Sequence, residues 1–166
     1  MLKKYPILFL LITPLFLTSC FGRWSEARKK AFCEECEQTR VIDGISFSLT
    51  GFSFSENDSI FVLQIRDSLV VDSFYVQINL TDSSRDRWHG WIDKTIILDD
   101  VYHFVVPEEQ TFVLSDMKMV MWAQFTMFSE GYGCHMAEFK IDGKLFEHHS
   151  SVDFMKTGYL FYWERE

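Results

Sequence analysis

Phe74-Tyr75-Val76-Gln77-Ile78-Asn79-Leu80-Thr81 decides the fold class of this chain. Phe74, Val76, Ile78 and Leu80 alternate with Tyr75, Gln77, Asn79 and Thr81. Successive side chains of a strand point to opposite faces. The stretch therefore reads as a strand with one face on a core and one in solvent, as in antiparallel sheets. The same period extends in both directions. Upstream, Ile45, Phe47 and Leu49 alternate with Ser46, Ser48 and Thr50. Gly51 shifts the phase for Phe52 and Phe54, which predicts a β-bulge. The apolar run Ile60 to Ile65 predicts a strand covered on both faces.

Downstream, Asp82 to Arg87 is a polar loop, followed by strands over Trp88 to Leu98 and Val101 to Val106, split by Asp99-Asp100. Met119, Met121, Ala123, Phe125 and Met127 form one face of a long strand, and Gly131-Tyr132-Gly133 is read as its turn. His135, Ala137, Phe139 and Ile141 return, and Asp142-Gly143 is a hairpin signal of the type I′ kind. Leu145 to Glu147 pairs next, and Tyr159 to Trp163 is the expected last strand. Turns every 8–12 residues or so, with no helical crossovers, predict an all-β fold. The first expectation is an immunoglobulin-like antiparallel β-sandwich, and the alternative is a small β-barrel.

Ahead of the strands the composition changes. Residues 25–38, within SEARKKAFCEECEQTR, carry no Gly, Pro or β-rich run and predict a short helix. Ahead of that helix, Lys3 and Lys4 precede an apolar run from Ile7 to Leu17, broken only by Thr13 and Pro14. A membrane span needs about 20 apolar residues, so the run has the length of a signal h-region. It ends in Leu17-Thr18-Ser19-Cys20. An aliphatic residue, two small ones and a cysteine resemble the lipobox of bacterial lipoproteins. The resemblance covers the first 20 residues alone. It implies cleavage before Cys20 and acylation of the Cys20 thiol and new amino group. Several acyl chains hold a protein to a membrane where one holds marginally. The expected organisation is residues 1–19 as signal peptide, 20–40 as lipid anchor and helical tether, and 41–166 as one β-sandwich domain. Phe21, not Asp, follows Cys20, which resembles outer-membrane sorting.

The formal charge is −8 over 166 residues. Without Lys3 and Lys4, 14 basic residues face 24 acidic ones, a net −10. That balance argues against nucleic acid and against docking on an anionic lipid surface. With Cys20 lipidated, Cys33, Cys36 and Cys134 remain, enough for one disulfide, either within the pair or from one of them to Cys134. Glu34, Glu35 and Glu37 crowd Cys33-x-x-Cys36 and disfavour a redox thiolate. Cys33, Cys36, Cys134 and His135 have zinc-ligand chemistry, but adjacent strand residues such as Cys134 and His135 face opposite ways.

Trp88 and Trp91, with Tyr132, Tyr159, Tyr162 and Trp163, are candidates for an aromatic platform that stacks on sugar rings. Asp86, Arg87 and Asp93 stand nearby for hydroxyl contacts. Trp88 and Trp91 would point to opposite faces of one strand. The methionines read as adaptable core packing. No catalytic constellation is found: there is no G-x-S-x-G, H-E-x-x-H or P-loop. No cofactor or metal is called for. The expected function is that of a lipid-anchored extracytoplasmic binding or structural protein of the bacterial envelope, with another envelope protein as partner. The alternative is a glycan-binding module, and an uncharacterised hydrolase ranks third.

Overall fold

The computed structural model describes residues 24–55, 58–82, 86–107, 110–125, 130–149 and 151–158. The lipobox and Tyr159 to Trp163 lie outside the described residues. One helix leads, α1 (Glu26–Gln38), followed by β1 (Val41–Ile42), β2 (Ile45–Thr50), β3 (Ser59–Arg66), β4 (Leu69–Asp82) and β5 (Arg87–Ile92). Then come β6 (Ile96–Ile97), β7 (Val101–Val106), β8 (Gln110–Phe125), β9 (Glu130–Ile141), β10 (Lys144–Glu147) and β11 (Val152–Met155). The fold is all-β, with α1 the only helix among the described residues. No described helix is long and apolar enough to cross a membrane.

Nine strands form one sheet in the order β10-β9-β8-β7-β3-β4-β5-β2-β11, and β1 pairs with β6 in a small second sheet. The large sheet turns at β4. The first part of β4 pairs with β3, from Leu69↔Arg66 to Gln77↔Ser59. Its end pairs with β5, from Ile78↔Gly90 onward. This shared strand folds one sheet into two facing layers. The result is the expected all-β sandwich or half-barrel, whose layers are continuous through β4.

Aromatic side chains fill the space between the layers. Phe154 of β11 lies 4.6 Å from Phe104 of β7 and 4.9 Å from Phe112 of β8, ring centre to ring centre. Phe47 of β2 meets Phe104 edge-on at 5.0 Å. All four are buried. Gly90, opposite Phe47 in the β2–β5 register, makes room for that ring. A Cβ at Gly90 would sit 2.2 Å from Phe47 Cζ.

Phase changes differ from expectation in three places. Gly51 ends β2 with φ +84° and is not a bulge within a longer strand. The bulge that matters lies in β8, where the register shifts between Ser115 and Lys118 and Asp116 has φ +52°. It lets Leu114 and Met117, of opposite parity, both point into the core. Gly131-Tyr132-Gly133 is no turn but part of β9, paired with Ala123 and its neighbours on β8. Asp142-Gly143 does turn the chain, between β9 and β10.

The helix starts where its chemistry says it should. The Ser25 side chain accepts from Arg28 N–H at 3.2 Å, a favourable N-cap. Glu26 in the first turn complements the helix dipole. At the other end Thr39 is extended, and its N–H bonds the Cys36 carbonyl at 3.1 Å.

Candidate functional site

The run Ile60 to Ile65 departs from expectation in a way that bears on function. Ile60, Val62 and Gln64 point inward and are buried. Phe61, Leu63 and Ile65 point outward and are only half-buried, so the strand is covered on one face. Register brings further apolar residues beside them. Phe61 lies between Tyr75 and Val105, Leu63 beside His103, and Ile65 between Val70 and Val101. Val113 of β8 stands opposite His103. Tyr75 is 73 % exposed and Val70 59 %. The Phe61 and Tyr75 rings are 5.0 Å apart, and such cross-strand pairs stabilise a sheet. Pairing accounts for the contact but not for so much apolar surface left in water. Contiguous apolar patches on soluble proteins mark interaction sites.

Behind this face lies a polar cluster that sequence reading placed in a simple turn. Asp100 is buried and accepts from Arg66 Nε at 2.7 Å and Nη2 at 2.8 Å, and from the Gln64 amide. The Arg66 guanidinium holds the Asp100 carboxyl below the usual carboxylate range, with help from Gln64 and against the effect of burial. Nearby, burial pushes the Tyr102 hydroxyl up to about 12. That hydroxyl accepts from Ile97 N–H at 3.0 Å and donates to the Ile97 carbonyl at 3.3 Å. Both groups tie the β6–β7 turn down, and each has its polar partners within the fold.

Cys36 is bonded to Cys134, which joins α1 to β9. The helix also packs on β8, so residues 26–38 are pinned to the sheet. The bond uses two of the four side chains in the zinc set and leaves Cys33 as the free thiol. Desolvation pushes the Cys33 thiol up, and its hydrogen bond to Glu37 at 3.5 Å and the charges of Glu37 and Glu34 push it further. That is the reverse of a redox nucleophile. Among the described residues no group of three or more His, Cys, Asp and Glu side chains is arranged to hold a metal ion.

The aromatic platform does not form as a pair. Trp88 is buried and donates its indole N–H to the Phe52 carbonyl at 3.1 Å. Only Trp91 of the two is open, at 54 % exposure. Trp88 is thereby removed as a glycan contact, because alternation turns it into the core. Tyr132 packs against Trp24, and Tyr159, Tyr162 and Trp163 lie outside the described residues.

Comparison with known protein families, curated proteins and solved structures finds no match.

A recess lies where the large sheet fails to close. The end strands β10 and β11 flank a cleft of about 520 Å³. Phe112, Phe139, Ile141 and Phe146 line it, and Asp142, Lys144, Ser151 and Asp153 stand around them. No sequence signal pointed here, because the cleft exists only once β11 joins β2 in parallel.

Proposed function

We propose that this chain is a lipid-anchored binding protein of a bacterial envelope and that a partner protein docks on the outer face of β3, β4 and β7. The observation that carries the reading is the exposed apolar face with Tyr75 and Val70 at its most open positions. An outer sheet face of Phe, Tyr, Leu, Ile and Val suits another protein surface better than a small solute, which needs a concave pocket. A glycan is less well served, since of Trp88 and Trp91 only Trp91 offers a stacking plane. The lipobox resemblance of Leu17 to Cys20 supports the anchored placement, and a domain held at a membrane meets its partners there.

The test is site-specific photo-crosslinking in intact cells of the source organism, with the reactive residue at position 75. One discrete adduct of higher mass is expected, and Val105→Lys should abolish it. Because both positions are on the outer face, neither change should cost more than about 0.5 kcal/mol of stability. The same probe at Asp153, beside the cleft, should give no such adduct. Adducts from position 153 alone, or none from position 75, would contradict the docking face.

A further inference from the structure

The end of the domain nearest Cys20 carries a second surface. Three residues separate Cys20 from Trp24, and the four steps span at most about 14 Å of extended chain. Trp24 packs edge-on against Tyr132 at 5.1 Å, so the start of α1 sits beside the far end of the β8–β9 hairpin. The Arg28 guanidinium lies 3.9 Å over the Trp24 ring, and the Lys29 ammonium 5.5 Å over Tyr132. Tyr132 pairs with Ala123, so its neighbour Trp122 points to the opposite face of the hairpin, where it is 40 % exposed. Aromatic rings thus flank this end of the molecule on both sides.

The charge on α1 is segregated. Arg28, Lys29 and Lys30 occupy its first half, and Glu34, Glu35 and Glu37 its second. A helix dipole favours the reverse order, so helix stability does not explain the arrangement. Lys30 reaches Glu34 at 3.9 Å, yet its side chain stays 80 % exposed. Between Cys20 and Lys30 four basic residues face one acidic residue; from Ala31 onward ten basic face 23 acidic. The one basic region of an acidic chain is therefore the region next to Cys20.

We propose that Trp24, Arg28, Lys30, Trp122 and Tyr132 form a seat on the anionic bilayer that holds the Cys20 acyl chains. Indole and phenol rings favour the headgroup level, and each basic side chain there gains from lipid phosphates. The inference rests on the anchored reading of Cys20. It adds that the domain stands end-on in a fixed orientation, with the Cys36–Cys134 bond fastening α1 to the hairpin whose two faces carry the rings. The acidity that argued against lipid binding describes the chain as a whole, and this end departs from it.

The experiment uses the full lipidated chain, reconstituted in vesicles of phosphatidylcholine and phosphatidylglycerol with bromine on the acyl chains near the headgroups. Flotation with the vesicles reports the anchor, and bromine quenching of tryptophan emission reports the seat. Trp122→Phe is expected to remove about half of the quenchable emission, and Trp91→Phe none of it. Arg28→Glu with Lys30→Glu is expected to float as before but to lose quenching by about twofold in anionic vesicles. Protein that floats with quenching unchanged by Trp122→Phe and by charge reversal overturns the seat and leaves the anchor standing. Protein that does not float overturns the anchor, and the seat with it.

Discussion

Replacing Cys36 and Cys134 together by serine is expected to lower unfolding stability by about 3–5 kcal/mol. The bond joins residues 98 apart in sequence, so it constrains most of the unfolded chain. Loop-closure entropy for about 100 residues is worth about 4.7 kcal/mol in that picture. The helix has little else to hold it, because Cys36 is its one buried residue. Trp24 and Lys29 on Tyr132, some packing on β8, and the Leu98 N–H bond to the Arg40 carbonyl at 2.9 Å tie the helix region to the sheet besides the bond. Urea denaturation of the double variant should show a lower midpoint, and limited proteolysis should cut within α1 before the sheet is lost. Cys33→Ser, which touches only the free thiol, should leave the midpoint unchanged. Equal stability of the double variant and the parent would mean that α1 is held by packing and not by the bond.

Phe154→Ala is expected to cost about 3–5 kcal/mol, the range for a large aromatic removed from a core. Phe154 is fully buried and its ring touches Phe47, Phe104 and Phe112, which come from three strands in both layers. It lies on β11, a four-residue end strand with one paired neighbour, β2. Loss of the ring removes the main reason for β11 to stay against the core. The wall of the cleft beside β10 should then loosen. Near-ultraviolet circular dichroism should weaken along with the denaturation midpoint. Met155→Ala, one residue on and exposed, should stay within about 0.5 kcal/mol of the parent. A Phe154→Ala protein as stable as its parent would mean that the facing layers are not held by this aromatic cluster.

Much of the fold is legible from alternation alone. Phe74 to Thr81, Ile45 to Thr50 and the Asp142-Gly143 turn all follow from local chemistry, and each is found where expected. β11 is different. Val152 and Phe154 give it two apolar residues, too few for a periodic signal, and its place depends on a free edge of β2 formed far away in sequence. The fold-over at β4 is hidden for a similar reason, since one unbroken alternating strand serves two neighbours in turn.

The candidate sites were legible to a lesser degree. Three thiols predict one disulfide without naming the pair, and only the packing of α1 on β8 brings Cys36 to Cys134. The parity of Trp88 and Trp91 does foretell that one of them is buried. The apolar run Ile60 to Ile65 looks the same in sequence whether one face or two are covered. Its open outer face is a property of what does not pack there among the described residues, and no local pattern records that. Asp100 lies in a turn by sequence, yet its carboxylate finds Arg66 and Gln64 on β3, which lie over thirty residues earlier.

The proposed placement of the protein at a membrane rests on the lipobox resemblance at Cys20. Its most direct measurement is mass spectrometry of the N-terminal tryptic peptide from membrane-extracted protein. The expected peptide is Cys20-Phe21-Gly22-Arg23, with acyl groups on the Cys20 thiol and amino nitrogen. A mature chain that begins at another residue, or a Cys20 without lipid, would contradict the anchored reading.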